Sequence, residues 1–482
     1  MKKKNHFIHI SMFLLFCLLI SFLAPGTVRA AGPDVPIDSS DYVWEAGPKI
    51  QGKSGIIMDS STGAVLYEKN PDKVLYPASL TKIMTALLAL ENASLSEKVT
   101  FSEDAIRKTE GSSIGIKIGE TITMEECLYG LMLESANAVA YAIAEHIAGS
   151  VEAFAQMMND RAAELGCTNT NFTNPHGLHD ENHYTTAHDL ALISQAALKN
   201  SMFRTIVSTQ TYIIPETEMT NEVRHLNNHH QMLYPNNFPQ YKYDACIGGK
   251  TGYTQASGYS LATFAKKDGM QLICIILKSK SPYEKKNEYT DTISLLDYCF
   301  ENFSQEPVSS FQKNLASSSL NLFSKYTSLF DSTDSLLNLS GDGLVTLPKN
   351  ATADQIEETL NVYPSPQTEN GQNIVGTVTY SLGGRVLGQA DVTFRPQQTY
   401  QLISSEAPAT PVIEPKKELK DVFTRPVRIA LLVVGILFVI ILLLLLYNRL
   451  VILPRRRRLS SRARHFHSSS GYQRRSGHRR RY

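Results

Sequence analysis

The sequence predicts an α+β layered domain, then a small β-rich domain, then a single C-terminal membrane helix. Three observations carry this. Strand-like patterns flank a helical middle between residues 52 and 302. Short strand-like segments with turn signals follow at 344–347, 359–362, 374–380 and 390–394. Residues 429–446 run apolar without a charge, long enough to cross a bilayer as a tilted helix.

At the amino end, Lys2, Lys3 and Lys4 precede an apolar run at 10–23, and Val28-Arg29-Ala30 puts small residues at the −3 and −1 positions. Residues 1–30 therefore read as a secretory signal and 31–48 as a linker. In the domain at 49–302, Gly55-Ile56-Ile57-Met58-Asp59 and Ala64-Val65-Leu66-Tyr67 flank Thr62-Gly63 as a hairpin. A helical period follows Pro77 through Ile83, Met84, Leu87, Leu88 and Leu90. Thr123 and Glu126 have capping-box spacing, and Gly149 and Gly166 punctuate two further helices. Apolar strands at 259–265 and 270–278 meet at Asp268-Gly269, a strong hairpin turn. Residues 303–333, rich in Ser, Leu and Phe, read as an irregular connector. The β-rich domain takes 334–402, a proline-bearing stalk 403–426, the membrane helix 427–447 and a basic tail 448–482.

Formal net charge is +1, from 47 Lys and Arg against 46 Asp and Glu, and the global figure misleads. The tail holds twelve Arg and no acid, and the signal region adds Lys2, Lys3, Lys4 and Arg29. Without those sixteen cations, 31 basic residues face 46 acidic ones, about −15 for the part between signal and membrane. That charge disfavours nucleic acid as a partner. The arginines place the tail in the cytoplasm and everything before residue 429 outside, with the tail against anionic headgroups. Five cysteines follow the signal (Cys127, Cys167, Cys246, Cys274 and Cys299) with no CxxC spacing, so neither a full disulfide framework nor a zinc ribbon is indicated.

The chemistry centres on Ser79-Leu80-Thr81-Lys82 at the head of the helical period. At i and i+3 the two side chains share a face, so the lysine reaches the hydroxyl. A serine hydroxyl is a weak nucleophile at neutral pH, and a desolvated lysine can take its proton. Alone the tetrad also fits a helix start with a surface lysine. Two further triplets strengthen the catalytic reading. Ser135-Ala136-Asn137 falls between helical stretches, where a loop can aim Ser135 and Asn137 into a cleft. Lys250-Thr251-Gly252 falls just before the late hairpin, where an edge strand can line that cleft. Lys250 offers a cation and Thr251 a hydroxyl to a substrate carboxylate, and Gly252 allows close backbone approach.

S-x-x-K, S-x-N and K-T-G in that order resemble the signature of penicillin-recognising serine enzymes, the β-lactamase/transpeptidase-like fold. The stretches 59–67, 77–85, Asn174-Pro175-His176-Gly177-Leu178 and 249–254 are similar to the low-molecular-mass D-alanyl-D-alanine carboxypeptidases, and the resemblance spans roughly 49–402. It implies that Ser79 attacks the penultimate D-alanine carbonyl with Lys82 as base, and that Ser135 relays a proton to the leaving D-alanine. It further implies that Asn137 binds the substrate amide, that Lys250 and Thr251 hold the terminal carboxylate, and that the Ser79 and Tyr253 N–H groups form the oxyanion hole. The implied partners are the peptidoglycan pentapeptide and β-lactams, which would acylate Ser79. No cofactor and no metal are called for. One departure stands out: the family usually carries an Arg near the start of the helix after the hairpin, whereas Tyr283-Glu284-Lys285-Lys286-Asn287-Glu288 has none. Lys285 and Lys286 are the substitutes at hand, without an arginine's bidentate fork.

Other readings are weaker. His176, His179, His183 and His188 with Asp180 and Asp189 suggest a metallopeptidase, but H-E-x-x-H is absent. A β-lactamase needs a deacylating Glu, and Glu216 and Glu218 stand in no clear E-x-x-x-N. Endopeptidase or transpeptidase activity, or a silent wall-binding protein, completes the set.

Overall fold

The computed structural model describes residues 42–282, 285–311, 337–339, 343–369 and 372–394. The signal, stalk, membrane-helix and tail expectations, and residues 312–333 of the connector, lie outside the described residues. Among the described residues no helix is long and apolar enough to cross a membrane.

The first part of the chain runs β1 (Ser54–Asp59), β2 (Val65–Lys69), α1 (Lys82–Asn92), β3 (Lys98–Thr100), α2 (Glu103–Arg107), β4 (Thr121–Thr123), α3 (Met124–Met132), α4 (Asn137–Ala148), α5 (Val151–Glu164), α6 (Ala187–Lys199), α7 (Ser201–Ser208), β5 (Thr211–Ile214), β6 (Arg224–Asn227), β7 (Cys246–Thr254), β8 (Gly258–Lys267), β9 (Met270–Ser279) and α8 (Asn287–Asn302). Strands β2-β1-β9-β8-β7 form one antiparallel sheet in that spatial order, with β7 at an edge. The β8–β9 hairpin turns at Asp268-Gly269, both with positive φ.

Both faces of the sheet are buried, and the strand period of two sorts the side chains. Ile56, Met58, Ile273, Ile275 and Leu277 enter a core shared with Ile83, Leu87, Val139, Phe154 and Ile193 from the helices. Ile57, Leu272, Cys274 and Ile276 face the other way, against Leu295, Leu296 and Phe300 of α8. That is why β1 and β9 read as apolar runs rather than as alternation. The Thr123–Glu126 capping box opens α3 with both reciprocal bonds made, and α4 closes at Gly149. All five cysteines are free thiols, four of them buried.

The second lobe comprises β10 (Phe303–Pro307), β11 (Leu337–Leu339), β12 (Leu344–Pro348), β13 (Glu357–Glu369), β14 (Gln372–Leu382) and β15 (Arg385–Phe394). The expectation of an irregular connector from 303 is corrected here: Phe303–Pro307 is a strand paired with β12 in full register. The strands at 359–362 and 390–394 are parts of longer ones, in the sheet β11-β15-β14-β13. Val345, Val378, Tyr380, Leu382, Leu387 and Val392 form its core.

The lobes are joined by polar contacts as well as by chain. Asp59, fully buried, accepts from Thr346 Oγ1 at 2.8 Å and from Gln305 Nε2 at 2.7 Å through Oδ2, while Oδ1 takes the Ser61 N–H and hydroxyl. Trp44 stacks on Phe303 and donates Nε1–H to the Leu382 carbonyl.

Candidate active site

Ser79 stands on a 3-10 turn, Ala78–Thr81, that runs directly into α1 at Lys82. Lys82 is wholly buried, and its Nζ donates to Ser79 Oγ at 3.0 Å, Asn137 Oδ1 at 2.7 Å and the His176 carbonyl at 2.6 Å. Burial, reinforced by the nearby Lys250 charge, holds the Lys82 ammonium well below its ordinary range. An amine that loses its proton this readily, in contact with a serine hydroxyl, is equipped to act as a base.

The second triplet occupies the tight link between α3 and α4. Ser135 has φ +60, is 4% exposed, and its hydroxyl makes no hydrogen bond among the described residues. A non-glycine residue in the left-handed region carries backbone strain of the kind concentrated at functional sites. Asn137 opens α4, its Nδ2 tied to the Glu110 carbonyl and its Oδ1 to Lys82. The first two motifs are thus in direct contact.

Lys250, Thr251 and Gly252 lie on edge strand β7. Lys250 is 1% exposed, and its Nζ donates to the Thr251 carbonyl at 3.0 Å. Burial pulls its pKa down to about 7, with Glu134 opposing. Gly252 is explained differently from the sequence expectation. A Cβ there would stand 3.1 Å from the Pro77 carbonyl oxygen and 3.3 Å from the Ser79 and Leu80 nitrogens. The close approach is therefore to the chain's own nucleophile turn, and it brings β7 beside the Ser79 N–H. Tyr253 is largely exposed, its ring 4.5 Å from that of Tyr259.

Where an arginine was missing, Lys285 is exposed, and Lys286 Nζ lies 4.8 Å from the Tyr259 ring centroid, beside the Tyr253 stack. Glu288, buried, takes a hydrogen bond from Ser281. Tyr283 and Glu284 are outside the described residues.

Of the histidines weighed as metal ligands, His183 braces the nucleophile turn, while His179 packs on Tyr76 and His188 faces Asp72 and Asp189. His183 Nδ1 accepts the Thr173 N–H at 3.0 Å, which leaves its proton on Nε2, facing Thr81 Oγ1 at 2.8 Å. Thr81 donates onward to the Ala78 carbonyl. Burial lowers His183 to about 4 and His176 to about 3, so both stay neutral. Glu216 and Glu218 are solvent-exposed.

Sequence reasoning assigned no role to the His176 carbonyl, Gly177 or Glu134. The first two sit in a stretch singled out only by its likeness. Glu134 carried no signal beyond standing next to Ser135.

A serine hydroxyl bonded to a buried lysine, an Asn on that same lysine, and a Lys-Thr-Gly edge strand against the serine turn define a penicillin-recognising serine hydrolase. The comparisons narrow this. A family model described as D-alanyl-D-alanine carboxypeptidase matches residues 42–281. The D-alanyl-D-alanine carboxypeptidase DacF of Bacillus subtilis is 36% identical over 263 residues, 54% of this chain and 64% of that protein, so the match spans slightly less than two thirds of that relative. DacC of Escherichia coli, another D-alanyl-D-alanine carboxypeptidase, is 30% identical over 359 residues, 71% of this chain and 83% of that protein. The crystal structure of penicillin binding protein 5 from Haemophilus influenzae superposes with a TM-score of 0.56 at 25% identity, covering 73% of this chain and 98% of the other. The chain belongs to the serine-type D-alanyl-D-alanine carboxypeptidase family.

Proposed function

We propose that this protein removes the terminal D-alanine from peptidoglycan stem peptides through an acyl-enzyme on Ser79. The observation that carries the reading is the 3.0 Å contact between Lys82 Nζ and Ser79 Oγ, with Lys82 itself wholly buried. Ser79 Oγ attacks the penultimate D-alanine carbonyl carbon as its proton passes to neutral Lys82. The developing oxyanion takes hydrogen bonds from the Ser79 and Tyr253 N–H groups. The C–N bond breaks as Ser135 hands a proton to the departing amine of D-alanine and takes in its place the proton that Lys82 received from Ser79. Water then adds to the ester and releases the shortened peptide and free Ser79. Asn137 receives the substrate amide, and Lys250 with Thr251 receives the terminal carboxylate. A β-lactam, whose amide lies in the ring, forms the same ester without releasing a leaving group from the site.

The same proposal places the enzyme outside the cytoplasmic membrane. The signal at 1–30 exports it, the apolar run at 427–447 tethers it as a single pass, and the arginine-rich tail stays inside. An anchored enzyme suits an insoluble polymer substrate.

The test incubates the full-length protein in detergent with a pentapeptide ending in D-Ala-D-Ala. Free D-alanine is expected, abolished by Ser79→Ala and blocked by penicillin. Penicillin labelling without D-alanine release would overturn the carboxypeptidase reading.

A further inference from the structure

Lys250 is buried, and its Nζ bonds to a neutral carbonyl, so hydrogen bonding does not neutralise its charge. A buried ammonium tends to give up its proton unless a carboxylate field opposes that loss. The carboxylate whose field opposes that loss at Lys250 is Glu134, one residue before Ser135.

Glu134 is held on both oxygens. The Asn227 N–H donates to Oε1 at 2.7 Å, and His229 Nε2 lies 3.0 Å from Oε2. The segment that supplies His229 also reaches Lys250's own strand. The ring of the next residue, His230, packs so closely on Gly249 that a Cβ there would meet it at 2.7 Å. One short segment after β6 therefore braces Glu134 and the strand position preceding Lys250.

We propose that Glu134 is a positioning residue for the carboxylate clamp: its tethered charge keeps Lys250 an ammonium and so sets how strongly the cleft takes a substrate or β-lactam carboxylate. The charged and titratable groups around Lys250 fit this assignment. Burial, with the Lys250 charge, pushes Lys82 on α1 and His230 next to β7 toward their neutral forms. For Lys250 itself, burial favours loss of its proton and Glu134 opposes that loss. Burial pushes the Glu134 carboxyl up, but the hydrogen bonds from His229 and the Asn227 N–H, with a smaller contribution from Lys250, outweigh it and hold the group below its ordinary range. The inference rests on the proposed function in taking Lys250 as the carboxylate site.

The experiment measures second-order acylation of the full-length protein across pH, with a penicillin bearing a free carboxylate and with its methyl ester. Glu134→Gln keeps the oxygen that accepts the Asn227 N–H but loses the charge. Without that charge Lys250 deprotonates at lower pH, so the alkaline limb for the free acid should move down by about one unit, a roughly tenfold loss at pH 8. The methyl ester should be unaffected, and Glu134→Asp should recover most of the loss. An unchanged profile, or a parallel fall for acid and ester, would overturn the proposal. D-Alanine release by the wild type is followed alongside. Its absence would count against the carboxypeptidase reading alone, because the acid-to-ester contrast does not depend on it.

Discussion

Lys82 Nζ and Asn137 Oδ1 are 2.7 Å apart, so a helix-head lysine and a residue 55 positions later share one buried hydrogen bond. The same Nζ touches Ser79 and the His176 carbonyl. Three acceptors fix where it sits, and burial settles how readily it gives up its proton.

Lys82→Arg tests that second point. A guanidinium can donate the same kind of hydrogen bonds but does not deprotonate in proteins, so it cannot take the serine proton. Penicillin acylation should fall by about 10³-fold, measured by stopped-flow or gel labelling. A variant within tenfold of wild type would remove Lys82 as the base.

Gly177 has φ +83, and a Cβ there would lie 1.9 Å from the Ala78 carbonyl oxygen. Gly177→Ala must push the nucleophile turn or the loop carrying the His176 carbonyl. A stability loss of more than about 2 kcal/mol is expected in urea unfolding. Acylation should drop about a hundredfold even in the folded fraction, because a shift of about 1 Å at Ser79 is costly.

Acid should unfold the protein partly through His183. Its Nδ1 faces an N–H donor, so a proton there meets another proton. With its folded pKa lowered to about 4, this group favours the folded state above its unfolded value near 6.5 and loses that contribution as pH falls through 4. His183→Asn should therefore flatten the decline between pH 6.5 and 4. The difference at pH 5 should be about 2 kcal/mol less acid loss than in the parent, by urea titration at each pH.

The lobes should loosen when Asp59 is removed. Asp59→Ala takes the shared carboxylate from Thr346, Gln305 and Ser61 at a buried junction, costing about 3 kcal/mol, whereas Thr346→Val removes its bonds to Asp59 and Thr62 for about 1–2 kcal/mol. The double variant should cost about 1 kcal/mol less than the sum of the two single variants, because the Asp59–Thr346 bond is lost only once.

Much of the layered architecture is legible along the chain because it depends on local signals. The β8–β9 hairpin is announced by Asp268-Gly269, and α3 by Thr123 and Glu126. Phe303–Pro307 was not legible: Ser304, Gln305 and Glu306 have little strand character, and the segment is extended because β12 pairs with it and Gln305 reaches Asp59. Glu134 escaped for a similar reason, since its significance comes from residues about a hundred positions away, Asn227 and His229.

By itself the sequence determined the reaction class, for side-chain chemistry is local: a serine three residues from a lysine, with S-x-N and K-T-G following in order. Tertiary structure decided what those residues become. Only the fold removes Lys82 and Lys250 from water, and desolvation changes their proton affinity more than any neighbour in sequence can. Only the fold presses Gly252 against the Ser79 turn and sets Glu134 to oppose the loss of Lys250's proton.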